Sequence, residues 1–347
     1  MGIRLDYLSP TLYFVDCLII PYIFLNLPIL FNKIKKLNKK RSLIFSILIF
    51  INIYFSLNPL NSLFQYLKLA EYFLFYLAIS NIPDLWSKIR NSFVLSLYLV
   101  VFVQLTQFFT QHSLGGLFYY LGERSFGSST PNLPLITFGN LSVIRVMSLF
   151  SHPNSLAGFL LLSLVILNKF KEDNRSKILT VLSVIATFSK AAYLALLGII
   201  LKINLGSILI IVFVLLSLAQ LAIPTLNLGI YSFDSRVEMI NNFKTLVSQY
   251  LIVGAGLGNY VIALSKIFPG SQLTVATLQP VHNLFLLTIV ELGLPMTLLI
   301  VWGIYKNFSK RYYPILLVVL ITGLLDHYWL TLPQNKLILL LALALLN

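Results

Sequence analysis

The amino-acid sequence predicts an all-α polytopic membrane protein of about eleven transmembrane helices with one large extracytoplasmic loop that carries an amphipathic surface helix. Three observations predict it. Of 347 residues, 58% are hydrophobic and 10% charged, against about 25% charged in an ordinary soluble chain. The mean hydropathy is +0.88. The apolar residues also fall in long runs parted by short polar loops. Residues 1–347 read as a single integral membrane domain, which excludes an ordinary soluble enzyme.

The elements follow in order. The first apolar stretch, Thr11 to Phe31, is long enough to remain as a span, and the start MGIRLDYLSP lacks the basic region of a cleavable signal peptide. Residues 32–41, NKIKKLNKKR, hold six basic side chains and no acid. By the positive-inside rule they mark the cytoplasmic side, so the N-terminus lies outside. Further spans fit near 43–57, 63–83 and 92–110. A segment rich in Gly, Ser and Pro then runs from Gln111 to Arg145 as an outside loop, and the chain returns through a span ending near Asn168.

Residues 178–201 read either as one crossing or as two short helices meeting at Ser189 and Lys190. Local charge density favours the second reading. The short loop 305–313 carries three basic residues in nine, whereas the long loop 225–281 carries three in 57. The hairpin places that long loop outside and the C-terminus inside. Within it, Ser235 and Glu238 have capping-box spacing, and Val237, Met239, Ile240, Phe243, Leu246 and Val247 recur at helical intervals, as in a helix lying on a membrane surface.

The net charge of +14 is explained by basic cytoplasmic loops, so no nucleic-acid partner is expected. A single cysteine, Cys17, excludes an intrachain disulfide and a cysteine metal cluster. No HExxH, DxD or paired-histidine spacing occurs, so no metal or other cofactor is expected. The run YLIVGAGLGNY has Gly254, Gly256 and Gly258 but Asn259 where a dinucleotide fingerprint needs its third glycine, and it reads as a tight turn.

Ionisable groups in apolar surroundings are costly and therefore informative. The predicted outer face carries Arg124, Arg145, Lys190, Arg236, Lys244 and Lys266 with few acids. Such a cationic face suits an anionic ligand, and a lipid diphosphate is the natural one at that depth. His152, in SHPNSLAGF, and His282, in QPVHNLFLL, stand at the mouths of apolar runs, where either could take a proton from a hydroxyl nucleophile or simply start a helix. Asp16, Glu291 and Asp326 are the acids placed to be buried, and Asp326 with His327 forms a polar island of unassigned role.

Four pieces in order resemble the bacterial O-antigen ligase and polymerase superfamily of membrane glycosyltransferases. They are RVMSLFSHPNSLAGFL from Arg145, FSKAAYLAL from Phe188 with Lys190 in place of the family's arginine, SRVEMINNF followed by LIVGAGLGNYV, and VHNLFLLTIVELGLPMTLL from Val281. The resemblance covers roughly residues 140–300. It implies a GT-C-like architecture in the cytoplasmic membrane and transfer of a glycan from a polyprenyl-diphosphate donor to a glycan, lipid or protein acceptor. It further implies that His282 assists the acceptor hydroxyl and that Arg145 and Arg236, with Lys190 as a third cation, hold the diphosphate. His152, Asn154, Asn283 and the three glycines would support them, in a metal-independent, inverting reaction. A glycan repeat-unit polymerase is the alternative within the superfamily. Outside it stand a transporter or flippase for an anionic or lipid-linked substrate, which would need internal repeats that are not visible, and a subunit without chemistry.

Overall fold

The computed structural model describes residues 11–36, 38–127, 130, 133–139, 141–222, 231–268 and 278–347, the side chains of 231–235 excepted. The start MGIRLDYLSP and residues 225–230 and 269–277 of the long loop therefore lie outside the described residues. Among those described, the chain forms seventeen α-helices and one two-stranded sheet.

The helices are mostly shorter than the apolar runs that contain them. One helix, α5 (Leu85–Thr110, 26 residues), is long and apolar enough to cross a bilayer. A second candidate exists only if α1 (Asp16–Leu25) and α2 (Leu27–Lys35), bent by 74° at Asn26, count as one span. The expected set of about eleven crossing helices, and the GT-C-like architecture with it, is thus corrected. The physical reason is that an apolar run can hold more than one helix, because hydropathy does not mark where the backbone breaks. The run after Asn283 divides at Gly293 (φ 80) into α13 (Leu284–Leu292) and α14 (Leu294–Lys306). Residues 178–201 divide at Thr187–Ser189 into α8 (Asn174–Ala186) and α9 (Lys190–Ile200). A helix needs ~20 residues to span ~30 Å of hydrocarbon, and these pieces fall short of it.

The break at Thr187–Ser189 is a reversal. Arg145 Nε donates to Thr187 O (3.1 Å) at the top of α8, whereas the chain beyond α9 descends to Leu205, whose N–H donates to Tyr313 Oη (2.9 Å). Tyr313 opens α15 (Tyr313–Gly323), which climbs back toward Asp326. Around these elements, α5 ascends and α7 (Pro153–Lys169) descends. At the lower end Arg90 and Trp86 of α5 hold Glu172 at 2.7–3.1 Å; at the upper end Gln107 Nε2 donates to Ser148 O at 3.1 Å. α17 (Pro333–Leu345) starts beside α7, where the Ser155 hydroxyl donates to Asn335. α7 is the axis of this bundle, with every residue from Leu160 to Leu167 buried.

Three further elements deliver residues to the upper end. The predicted outside loop contains an antiparallel hairpin, β1 (Leu135–Phe138) with β2 (Leu141–Ile144), paired from Leu135 with Ile144 to Phe138 with Leu141. The hairpin ends on Arg145, whose N–H donates to Pro134 O (2.9 Å). The predicted amphipathic helix is α11 (Tyr231–Tyr250); it begins four residues before Ser235, so Ser235 is an interior residue and not its cap. Its apolar side, Ile240, Phe243 and Leu246, is buried in a core shared with α13, so that face meets protein and not a membrane. The short helix α12 (Tyr260–Ile267) follows, and α13 starts at Asn283.

Candidate functional site

The loop between α15 and α16 (Tyr328–Thr331) places a buried carboxylate, Asp326, at the upper end of the bundle. Groups from four other parts of the chain surround it. Asn154, in the first turn of α7, donates from Nδ2 to Asp326 Oδ2 (2.9 Å) and accepts from Arg145 Nη2 on Oδ1 (2.9 Å). His152 Nδ1 lies 4.0 Å from the same carboxylate oxygen. The rings of His282 and His327 meet edge to face, with centroids 5.2 Å apart. Arg145, Arg236, His152, His282 and His327 all interact electrostatically with Asp326.

Local structure fixes several protons. Thr331 Oγ1 gives its hydrogen to the His327 carbonyl (3.2 Å) and lies 2.9 Å from His327 Nδ1, so Nδ1 carries the proton and Nε2 is left as an acceptor. His152 caps α7 by accepting from Asn154 N–H on Nδ1 (3.2 Å), which puts its own proton on Nε2. His282 is free of that duty, because its neighbour Asn283 caps α13 by accepting from Phe285 and Leu286 N–H at 2.9 and 3.1 Å. His282 hydrogen-bonds the Pro280 backbone, and its Nδ1 is buried with no hydrogen-bond partner among the described residues. Of the two histidines singled out from sequence, His152 therefore starts a helix and His282 keeps a nitrogen for chemistry.

Electrostatics favour a neutral base beside an ionised carboxylate. Burial lowers the His282 imidazole, with Asp326 opposing and Arg236 reinforcing the shift. Burial likewise takes His327 down to about 4 against the pull of Asp326. For Asp326 burial alone would raise the carboxyl, but His282, His327, His152 and the Asn154 donor outweigh it and hold it well below the usual carboxylate range. Both guanidiniums are lowered, Arg145 by burial and by Arg236, and Arg236 by burial. Two half-buried cations that destabilise each other are relieved by a bound anion, and a forked donor suits phosphate oxygens.

The remaining sequence candidates divide clearly. Lys190 is exposed at the start of α9 and interacts with no member of this cluster among the described residues. Its segment contributes the Thr187 carbonyl that steers Arg145 instead. Asn283 is buried as a cap and also donates to Gln220 Oε1 (3.2 Å) and Leu324 O (3.3 Å). Gly254, Gly256 and Gly258 form a turn with φ of 83°, 97° and 77°, packed on the α13–α14 break and on α4 (Pro59–Ile79) rather than at Asp326. Sequence reasoning left Asp326 and His327 unassigned. An acid within LLDHYW, between two apolar helices, was the available signal.

His282, Asp326 and His327 offer one ligand atom each, all within 4.8 Å of one another, and could together hold a divalent cation. Two guanidiniums acting on the same carboxylate favour an anion there. No protein family, curated protein or solved structure matches the chain.

Proposed function

We propose that the protein is a glycosyltransferase that moves a glycan from a polyprenyl-diphosphate donor to an acceptor hydroxyl at the Asp326 cluster. The observation that carries this reading is that groups distant in sequence meet at one buried carboxylate: Asn154 links Asp326 to Arg145 through two hydrogen bonds of 2.9 Å, a His282 ring nitrogen lies within 4.8 Å of Asp326, and Arg236 is near enough for its charge to act there. In the reaction the acceptor oxygen attacks the anomeric carbon and its proton passes to His282. The bond from that carbon to the phosphate oxygen breaks, and the diphosphate leaves with the electron pair. A single displacement of this kind inverts the anomeric centre. Asp326 offsets the charge of the imidazolium, and Arg145 and Arg236 offset the charge growing on the leaving group. No step requires a metal.

A lipid-linked donor requires access from a bilayer, and the surface of the protein is suited to one. Phe14, Leu25, Leu60, Phe109 and Tyr120 are each 79–82% exposed, and apolar side chains cover the outward faces of α3 (Lys39–Tyr54), α5, α9 and α10 (Ile208–Ala219). Water-facing proteins rarely expose so much contiguous apolar surface.

The purified protein, supplied with a polyprenyl-diphosphate-linked oligosaccharide and a glycan acceptor, is expected to release polyprenyl diphosphate in proportion to the elongated product. The rate should be unchanged by EDTA. Loss of turnover in chelator, restored by a divalent cation, would overturn the metal-independent reaction. Absence of glycan transfer would overturn the function.

A further inference from the structure

A cavity adjoins segments that carry the Asp326 cluster. Its wall includes Glu291 of α13, Lys336 of α17, Tyr72 of α4 and Tyr260 of α12, and it reaches Pro280 and Thr331. The last two join it to the cluster: Pro280 is two residues before His282, and Thr331 Oγ1 is the group met by His327 Nδ1 at 2.9 Å. Its volume is about 60 Å³. That is room for several waters, whose polar partners a ligand's hydroxyls can take over.

Two charged groups on this wall, Glu291 and Lys336, act on each other without meeting in an ion pair among the described residues. Lys68, which also lines the cavity, is held by Asp16 and by Glu71 (3.0 Å). Lys336 makes no ion pair among the described residues, and its ammonium lies over the Tyr72 ring, 5.5 Å from the centroid. Among the described residues the buried Glu291 carboxylate accepts only from backbone N–H groups, those of Gly258 and, at 3.4 Å, Tyr260. A simple anion would be opposed by Glu291 and a simple cation by Lys336, while Lys68 is already paired with Asp16 and Glu71. A hydroxylated ring suits all of them: its hydroxyls accept from the ammonium and donate to the carboxylate, and its C–H face packs on tyrosine.

We propose that this cavity binds one sugar ring of the acceptor, which makes the acceptor a glycan and presents its hydroxyl to His282. The inference rests on the transferase reading given above, but it is tested apart from it. Methyl glycosides of glucose, galactose and N-acetylglucosamine are offered to the purified full-length protein in detergent, and binding is read by saturation-transfer NMR. At least one should bind the wild type, and Lys336→Met and Glu291→Gln should each weaken it by about tenfold, the worth of one hydrogen bond to a charged group. Arg236→Ala should bind it as the wild type does. Size-exclusion chromatography checks that the variants are folded. If Lys336→Met is not, Tyr72→Leu, which removes the packing face, must show the same weakening. Failure of all three glycosides to bind, or unaltered affinity in the folded variants, overturns the proposal. Transfer that persists while no glycoside binds defeats the cavity alone, whereas glycoside binding without glycan transfer defeats the transferase reading alone.

Discussion

Replacing His282 by Ala is expected to lower the rate of the proposed glycan transfer by about 10²–10⁴, the usual worth of a positioned general base. Its Nδ1 is buried without a partner among the described residues, and its neighbour Asn283 performs the capping that a histidine at a helix start often provides. Removal of the ring therefore takes away a proton acceptor and leaves α13 capped. Arg236→Ala should cost about 10²–10³, in the range of one lost donor to a developing oxyanion. Both variants should be recovered folded and in yields like the wild type. Transfer at wild-type rates by either folded variant would remove that residue from the mechanism.

Gly254→Ala is expected to be the most damaging single substitution to folding. Gly254 has φ 83°, and a Cβ there would come well inside 3.0 Å of Glu291 O and Gly293 N. Gly293, with φ 80°, faces Ile252 and Val253 just as closely, so two stretches of backbone touch with no side chain between them. Hydrogen bonds fix the approach, from Ala255 N to Val290 O (2.7 Å), Gly256 N to Glu291 O (3.0 Å) and Leu294 N to Leu251 O (2.7 Å). Asn52 clamps it by donating to Val253 O (2.7 Å) and Glu291 O (2.9 Å). The clash is with backbone, which cannot rotate away, and the left-handed conformation adds strain of ~1–3 kcal/mol. A total on the order of 4 kcal/mol removes much of the ~5–15 kcal/mol that holds a typical domain. The readout is the monodisperse yield and melting temperature in detergent. Gly303→Ala, in α14 with open space around it, serves as the control and should be neutral or slightly stabilising. A Gly254→Ala protein that melts with the wild type would contradict the packing described.

Much of this structure was legible where local chemistry decides it. The periodicity of α11 and the burial of Asp16, Glu291 and Asp326 could be read from residue type and spacing, whereas residue type left residues 178–201 open between one crossing and two helices, and only local charge density favoured the break near Ser189. Helix length could not, because hydropathy continues unbroken through Gly293 while the backbone turns there to receive Gly254 from 39 residues earlier in the chain. The hairpin before Arg145 was hidden in a segment whose turn-rich composition resembles a loop. Glu123 escaped notice for a similar reason. It is buried because Leu114 and Gly115 N–H and Gln107 Nε2 all turn toward it, at 2.7–2.8 Å, and that convergence exists only after folding.

The site shows the same division. Arg145, Arg236 and His282 were identifiable as costly groups beside apolar runs. Their common partner was not, since Asp326 is 44 residues beyond His282 and 181 beyond Arg145. Lys190 illustrates the converse. Sequence offers it as a third outer cation, but the fold leaves it exposed and uses the nearby Thr187 carbonyl to hold Arg145.

The central claim is that Arg145 and Arg236 form one diphosphate site from which Lys190 is excluded. Titration of inorganic pyrophosphate into the purified protein tests it most directly. Binding should weaken by about tenfold or more in Arg145→Ala and in Arg236→Ala, and stay at the wild-type value in Lys190→Ala. Equal weakening in all three, or none in the two arginine variants, would contradict the account.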